Sequence, residues 1–319
     1  MSCWKKKARR RSKWRMTTVE VFAPAKINLA LHVTGHRADG YHELDTLVTF
    51  AGVGDYLRLT PYDVSSITIE GPEAAGVPAD MDNLALRAAA LCPGGQAVSI
   101  VLDKHLPVAS GVGGGSADAA AAFRGALMLG AAAESPADTA ATMPEALLAP
   151  QAPALAARGA DVPMCLRAAP LRARGIGDAL RFVPLPPVPA VLVNPRVPVS
   201  TPEVFRALTS RENPGLPALP NGFADARALI TWLGGTRNDL EAAAVSVAPE
   251  ISDVLAVLNG LEGVGLARMS GSGATCFALF DDLEAAKAAS ATLRSMRPHW
   301  WVAGSVLKDW SREALARVM

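Results

Sequence analysis

Apolar residues fill most of positions 19–34, and a polar stretch at 35–43 follows them. The apolar run predicts two strands with a proline-interrupted loop at 23–26 between them. The pair Asp39-Gly40 in the polar stretch is typical of a β-hairpin turn. Further strand-like runs lie at 44–50, 56–60, 65–70 and 97–103. The first part of the chain is therefore predicted to consist largely of hairpin-connected strands.

Two helices are predicted in the region up to residue 130. The first covers 83–91, because the side chains of Asp82 and Asn83 can cap the free N–H groups of a helix start. The second follows the glycine-rich turn 111–115 and is an alanine-rich stretch that ends near residue 129. Since the strands before that turn are mostly of the hairpin type, the pattern favours an α+β domain over a regular βαβ array.

The rest of the chain is predicted to form a second domain. Residues 131–160 are rich in Ala and Pro, with a short helix expected after Pro144. Prolines recur over 184–202 around a strand at 191–194, and a domain boundary is expected shortly before them. The predicted order is then helix 249–259, strand 264–269, turn 270–273, strand 274–280, helix 282–296 and strand 300–306. This order is typical of a split βαβ, ferredoxin-like domain.

Composition places the chain among globular proteins. Its 319 residues include 31 Lys or Arg and 30 Asp or Glu, and half of them are hydrophobic. That length predicts roughly two domains, and the apolar fraction excludes wholesale disorder. The net charge of +1 argues against a protein that binds nucleic acid over its whole surface. We predict a leader at 1–16, an N-terminal domain at 17–175 and a C-terminal domain at 176–313.

The small net charge conceals a basic leader. Residues 1–15 carry a charge of +8 and no acid, so the remaining residues carry −7. Such a block is typical of a disordered, functionally neutral tail, although it could also contact nucleic acid or a membrane surface. It does not resemble a secretory signal, because no apolar stretch of the required length follows it. Met16 offers an alternative start just before the first strand.

The positions of the cysteines, histidines and apolar runs argue against a disulfide-rich protein, a helical metal site and a membrane protein. The cysteines at 3, 92, 165 and 276 are far apart, so no disulfide framework is expected, and a reducing, cytoplasmic compartment fits best. His32 and His36 stand in a strand-like context, which disfavours a helical metal site. No run of about 18 uncharged apolar residues occurs, so no membrane span is predicted.

The segment 107–120, PVASGVGGGSADAA, carries the strongest chemical signal. Its glycines allow the main chain to approach a ligand closely, and the helix that follows directs free N–H groups and a favourable dipole at the same place. The segment predicts a phosphate cradle, with a glycine-rich helix cap as the alternative. It is not a dinucleotide GxGxxG, since Ser116 occupies the last position, nor a Walker loop, because no Lys follows.

Three further sites carry weaker signals. Lys26 lies among apolar residues, where a lysine is usually paired with an acid or a phosphate, although its side chain could extend to solvent. Asp161, within Gly-Ala-Asp-Val-Pro, is either a helix N-cap or a carboxylate held for proton transfer. The Ser-Gly-Ser-Gly stretch at 270–273 is either a simple hairpin turn or a second backbone anion site.

Taken in order, these motifs resemble those of a known family. PAKINL, PVASGVGGGSADAA and SGSGAT are similar to the three motifs of the GHMP small-molecule kinases. GHRADGYHELDTL, DNLALRAA, GADVP, NPRVPVSTPEVF and RNDLE resemble the branch that acts on a cytidine diphosphate conjugate of methylerythritol. The likeness covers roughly 20–310. It implies an α+β GHMP kinase fold, with an N-terminal ribosomal-protein-S5-like domain and a C-terminal ferredoxin-like domain.

The resemblance also implies a reaction. This reaction is the ATP-dependent phosphorylation of the 2-hydroxyl of 4-diphosphocytidyl-2-C-methyl-D-erythritol, in the non-mevalonate isoprenoid pathway. Asp161 would take the hydroxyl proton, Lys26 would pair with Asp161, and Asn28 would orient the substrate. ATP and Mg²⁺ are the implied cofactors, with Ser116 near the metal. The residues implied in ATP binding are Asn83, Lys104, Pro107, Gly111, Gly113, Gly114, Gly115, Ser116, Gly271, Ser272 and Gly273.

The cytidine site implied by the resemblance consists of Tyr41, His42, Thr201 and Phe205. Two aromatic faces can sandwich a cytosine, and His42 would hydrogen-bond to the base edge. Taken alone, Tyr41 and Phe205 would be interpreted as core packing. Two residues depart from the family pattern, Val112 in place of a common Leu and Ala117 in place of a common Ser.

Other functions are compatible with the sequence alone. The chain could be another GHMP kinase, acting on homoserine or mevalonate, or a non-catalytic nucleotide-binding protein. The joint presence of Lys26 and Asp161 argues against the second of these. A nucleic-acid accessory role would depend on the leader. We expect a small-molecule substrate, no nucleic-acid or membrane partner, and a monomer or weak homodimer.

Overall fold

The computed structural model describes residues 17–134 and 151–319, without the side chains of 131–134. Two segments named above lie outside the described residues. They are the basic leader 1–16 and the segment 135–150, which contains the start of the helix expected after Pro144.

The described residues form one mixed sheet of eleven strands. The strands are β1 (Val19–His36), β2 (His42–Pro61), β3 (Ser66–Glu70), β4 (Val98–Asp103), β5 (Leu171–Gly175), β6 (Ala179–Phe182), β7 (Val188–Asn194), β8 (Val264–Met269), β9 (Cys276–Phe280), β10 (Trp301–Lys308) and β11 (Arg317–Val318). The main path is β11-β1-β2-β10-β7-β9-β8. Because β2 has 20 residues, it also pairs with β4 and β5. Strand β4 in turn pairs with β3, and β5 pairs with β6.

Nine helices occur in the described part of the chain. They are α1 (Leu84–Ala89), α2 (Gly114–Glu134), α3 (Ala152–Ala156), α4 (Val162–Cys165), α5 (Thr201–Arg206), α6 (Ala226–Leu233), α7 (Glu241–Val247), α8 (Glu250–Asn259) and α9 (Leu283–Met296). The long helix α2 packs on β1 and β2. Its many alanines let it approach the sheet closely, and Phe123 is its large, fully buried side chain. Helices α8 and α9 cover another part of the sheet, where Ile251, Leu293 and Phe280 form a second core.

The strand β1 differs from the prediction of two strands and a loop. It runs unbroken from Val19 to His36, and its pairing with β2 shifts register between Pro24 and Lys26. Proline has no N–H for the ladder, and the N–H of Lys26 donates to Val112 O (2.9 Å). A bulge of this kind redirects a side chain without ending the strand. The runs predicted at 44–50 and 56–60 likewise belong to one strand, β2.

The C-terminal third follows the predicted order of helix, hairpin, helix and strand. The strand predicted at 264–269 has the same limits in the structure, and the predicted helices correspond to α8 and α9. The sequence reasoning did not identify the hairpin β5–β6 or the helices α5, α6 and α7. The boundary at 175/176 would fall inside that hairpin, and the division into two domains stays a prediction. In the described part of the chain, no helix is long and apolar enough to cross a membrane.

Candidate active site

Lys26 and Asp161 form an ion pair at the centre of a cleft. Lys26 projects from the bulge of β1, and its side chain is 5% exposed. Its Nζ lies 2.6 Å from Oδ2 of Asp161, whose side chain is 39% exposed. Asp161 precedes α4, but its side chain makes no cap hydrogen bond. Lys26 therefore does not extend to solvent, and the Asp161 carboxylate is held by a cation beside open space.

The buried side chain of Arg124 bonds to the backbone of both elements that carry this pair. Its guanidinium donates to Cys165 O (2.9 Å) and Leu166 O (3.1 Å), at the end of α4, and to Phe22 O (3.1 Å) on β1. Burial lowers the pKa of Arg124 to about 10. One side chain thus ties together the two elements that carry Asp161 and Lys26. Sequence reasoning missed it, although a single Arg on an alanine-rich helix is a usable signal.

The two glycine-rich turns pack against each other. Gly111 has a φ of +74°, and a Cβ there would lie 2.6 Å from Ser270 O. Ser270 Oγ donates to Gly111 O (3.1 Å), and the N–H of Thr275 donates to Ser110 O (3.0 Å). Helix α2 begins at Gly114, so its free N–H groups face the same space. The predicted phosphate cradle is therefore built from both turns.

The predicted nucleotide residues Asn83 and Lys104 already have protein partners. Asn83 caps α1 by accepting from the N–H of Ala85 (2.9 Å) and donates to Pro78 O (2.7 Å). Lys104 forms buried ion pairs with Asp55 and with Asp118, the latter at 3.0 Å. Because both carboxylates compensate its charge, Lys104 adds little positive potential to the cleft.

Asp118 lies on α2, just after its first turn. Burial, together with the charge of Asp55, raises its pKa well above the usual value, although Lys104 opposes the shift. Its Oδ1 has no hydrogen-bond partner among the described residues. Asp55 is better compensated, because its other oxygen accepts from the N–H groups of His105 (2.6 Å) and Leu106 (2.8 Å). Asp55 therefore anchors the chain at the end of β4.

Tyr41, His42 and Phe205 form an aromatic wall of the same cleft. The rings of His42 and Phe205 stack at a centroid distance of 4.7 Å with an interplanar angle of 30°. Tyr41 is 59% exposed at the rim, so in this structure His42, rather than Tyr41, faces Phe205. Thr201 Oγ1 lies 2.7 Å from Ser272 Oγ, which links α5 to the second turn. This contact joins the wall to the cradle.

Besides Asp118 Oδ1, two further polar atoms of the cleft lack partners among the described residues. One is Oδ1 of Asn28, whose Nδ2 donates to Thr46 Oγ1 (2.9 Å). The other is Nε2 of His42. Burial, followed by repulsion from His36 and Arg211, lowers the pKa of His42 below its usual 6.5. The ring is therefore neutral near pH 7, and both atoms can accept a hydrogen bond from a ligand.

The cleft has a volume of about 1230 Å³. It collects nearly all of the residues that the sequence had suggested, and only Gly273 of that set is absent from its lining. Gly273 belongs to the second turn, where its φ of +86° favours glycine. The members that line the cleft are Lys26, Asn28, Tyr41, His42, Asn83, Lys104, Pro107, Gly111, Gly113, Gly114, Gly115, Ser116, Asp161, Thr201, Phe205, Gly271 and Ser272.

Comparison with known proteins agrees with this architecture. Models of the GHMP kinases N terminal domain and of the GHMP kinases C terminal match residues 83–168 and 216–299. A relative from Roseobacter denitrificans is 48% identical over 94% of this chain and 97% of its own length. One from Dinoroseobacter shibae is 52% identical, with coverages of 90% and 94%. Both are named 4-diphosphocytidyl-2-C-methyl-D-erythritol kinase.

A solved structure gives the same result. A crystal structure of 4-(cytidine 5'-diphospho)-2C-methyl-D-erythritol kinase matches with a TM-score of 0.67 and 35% identity, covering 90% of this chain and 99% of that one. The chain therefore belongs to the GHMP kinase family, which confirms the predicted fold class. GHMP kinases are ATP-dependent, so ATP is its phosphoryl donor. Within the family, it groups with the 4-diphosphocytidyl-2-C-methyl-D-erythritol kinases.

Proposed function

We propose that this kinase transfers the γ-phosphoryl group of ATP to the 2-hydroxyl of 4-diphosphocytidyl-2-C-methyl-D-erythritol, in the non-mevalonate isoprenoid pathway. The observation that carries the proposal is the Lys26–Asp161 pair, with Nζ and Oδ2 2.6 Å apart, between a phosphate cradle and an aromatic wall. The names of the relatives support the choice of substrate.

Asp161 acts as the general base. Its carboxylate accepts the proton of the 2-hydroxyl while the hydroxyl oxygen bonds to the γ-phosphorus and the bond to the bridging oxygen of ADP breaks. Lys26 stabilises the negative charge of Asp161 and the charge on the transferring oxygens. Because phosphoryl transfer needs little covalent work from the protein, positioning and charge neutralisation account for most of the catalysis.

The phosphates of ATP bind to the backbone N–H groups between Gly111 and Ser116 and to the second turn at Gly271 and Ser272. Asn83, Lys104 and Pro107, which also line the cleft, are assigned to the nucleotide. In the described part of the chain, no group of three or more His, Cys, Asp or Glu could hold a metal ion. Mg²⁺ is usually held by one or two protein oxygens together with substrate phosphates. Ser116 Oγ, which lines the cleft, fits that need.

The cytosine binds at the aromatic wall of Tyr41, His42 and Phe205, with Thr201 beside it. Since His42 and Phe205 are stacked, the base inserts against one of these rings and Tyr41 closes over its other face. The neutral Nε2 of His42 is available to accept a hydrogen bond from the amino group of the base. Asn28 Oδ1 orients the methylerythritol unit in the same way.

We further propose that the enzyme works in the cytoplasm as a monomer or weak homodimer and without a nucleic-acid partner. The divisions 17–175 and 176–313 would contribute the two sides of the cleft. These assignments fit a small-molecule kinase, for which binding of one acceptor and one nucleotide is sufficient.

An acceptor comparison tests the substrate. ADP release from the purified chain is measured with 4-diphosphocytidyl-2-C-methyl-D-erythritol, methylerythritol phosphate, homoserine and mevalonate. We expect turnover with the cytidine conjugate alone, because the others cannot occupy the aromatic wall. Comparable turnover with homoserine or mevalonate would contradict the proposal and identify another GHMP specificity.

A further inference from the structure

Glu73 and Arg196 form a two-pronged ion pair between two segments that both contribute residues to the cleft lining. Arg196 Nη1 donates to Glu73 Oε2 (2.8 Å), and Nη2 donates to Oε1 (2.6 Å). The side chain of Glu73 is 10% exposed, whereas that of Arg196 is 48% exposed. Bidentate guanidinium–carboxylate pairs are directional and are stronger than ordinary surface pairs. This geometry distinguishes the pair from a transient surface contact.

The backbone N–H of each partner makes a hydrogen bond of its own. The N–H of Glu73 donates to Lys104 O (3.0 Å), at the end of β4. Arg196 has a left-handed backbone, with a φ of +62°, and its N–H donates to Asn194 Oδ1 (2.7 Å). A non-glycine residue in this conformation needs support from its surroundings. The backbone at each end of the pair is therefore held by a hydrogen bond that does not involve the ion pair.

The pair connects two segments to which the proposed function assigns different ligands. We call residues 71–83 the nucleotide-side loop, because Val77, Pro78 and Asn83 in it line the cleft and Asn83 is assigned to ATP. We call residues 195–205 the substrate-side segment, because it carries Thr201 and Phe205 of the aromatic wall. These segments belong to distant parts of the chain, and the ion pair bridges them.

We propose that Glu73 and Arg196 are positioning residues that hold the nucleotide-side loop and the substrate-side segment at the separation needed to bind ATP and the acceptor together. Neither side chain touches the reacting atoms. This proposal rests on the assignment of the aromatic wall to the cytidine substrate. Loss of the pair would loosen both rims of the cleft while leaving Lys26 and Asp161 in place.

The test is a charge-exchange cycle in the full chain. Glu73→Gln and Arg196→Gln are each expected to raise the KM of both ATP and the cytidine conjugate about three- to ten-fold, as expected for a half-buried charge-assisted pair, with kcat changed less than about two-fold. The exchanged pair Glu73→Arg with Arg196→Glu should recover most of the loss. Arg227→Gln breaks a pair with Asp281, and neither of these residues lines the cleft, so it is the matched control and should leave both KM values unchanged.

Two results would overturn the proposal. One is that the Gln variants keep both KM values of the wild type. The other is that the KM values of the exchanged variant rise by as much as the product of the increases caused by Glu73→Arg and Arg196→Glu separately. The Kd of ATP, measured by calorimetry without any acceptor, should rise by a similar factor in both Gln variants. If the wild-type chain fails to phosphorylate the cytidine conjugate, the proposed function fails, and an unchanged ATP Kd separately refutes the positioning role.

Discussion

The position of the Lys26 ammonium depends on what its aliphatic stem contacts. A Cβ on Gly113 would lie 3.2 Å from Cε of Lys26, so the glycine loop packs directly on that stem. The backbone of Lys26 is fixed to the same loop through Val112 O. Lys26 thus has little freedom to leave Asp161, which keeps the carboxylate in one orientation.

Removing the Asp161 carboxylate tests the proposed base. Asp161→Asn keeps the shape of the side chain but cannot accept the hydroxyl proton, so kcat should fall by about 10²–10⁴. The Kd of ATP, measured by calorimetry, should change less than about two-fold, because the cradle is intact. Asp253→Asn, on an exposed position of α8, is the control. Turnover near the wild-type level would refute the assignment.

A pH dependence follows from His42. Its pKa is held below 6.5 by burial and by the neighbouring His36 and Arg211, so the ring is neutral at pH 7 and gains a proton only as the pH falls through that lowered pKa. A charged ring no longer accepts a hydrogen bond at Nε2. The KM of the cytidine conjugate should therefore be constant above pH 7 and rise at acid pH, and the rise should be absent in His42→Gln. An identical profile in both proteins would contradict this role.

At the scale of elements, the glycine-rich turns illustrate what sequence patterns can and cannot predict. The glycine spacing and the helix that follows indicated an anion site, because both depend on local backbone geometry. The bulge in β1 was missed, since it depends on Val112, a residue far along the chain, accepting from Lys26. Helix α5 was also missed because prolines dominate its surroundings. Local signals therefore predicted the motifs better than the strand limits.

The contact between the two turns predicts a large effect for one small substitution. Gly111→Ala places a methyl group 2.6 Å from Ser270 O and forces alanine to adopt a positive φ, so the free energy of unfolding should fall by about 2–4 kcal/mol. Gly130→Ala, in α2 with open space around it, should raise it by about 0.5–1 kcal/mol instead. Urea unfolding measures both. Equal stabilities for the two variants would show that the turns do not pack as described.

At the scale of the whole molecule, the C-terminal segment 309–319 returns to the N-terminal half. Strand β11 pairs with β1, and the N–H of Trp310 donates to Ala168 O (3.0 Å). Arg124 donates to Ala314 O (3.0 Å) in the same segment. Such pairings join residues that are distant in sequence, and hydrophobic periodicity carries no information about them. For the same reason, the ion pair of Glu73 and Arg196 could not be predicted from the sequence.

Deletion of residues 309–319 should therefore destabilise the N-terminal half. It removes the buried Ala314 and Ala316, uncovers Phe22 and leaves one donor of the buried Arg124 unpaired. We expect a loss of about 3 kcal/mol or more in the free energy of unfolding, measured in urea. Removal of the exposed Met319 alone should cost less than about 1 kcal/mol. A stable and fully active truncated protein would contradict the structural role of the segment.

The position of the new phosphate distinguishes transfer to the 2-hydroxyl from transfer to any other hydroxyl of the acceptor. The 2-carbon of the acceptor is tertiary and carries no hydrogen, so a phosphate on its oxygen has no proton across the H–C–O–P path. A proton-coupled ³¹P spectrum of the product formed from ATP and 4-diphosphocytidyl-2-C-methyl-D-erythritol should therefore show one new phosphomonoester resonance as a singlet, in equal amount to ADP. A multiplet, which a phosphate on the 1- or 3-hydroxyl would give, or no new resonance at all, would contradict phosphoryl transfer to the 2-hydroxyl.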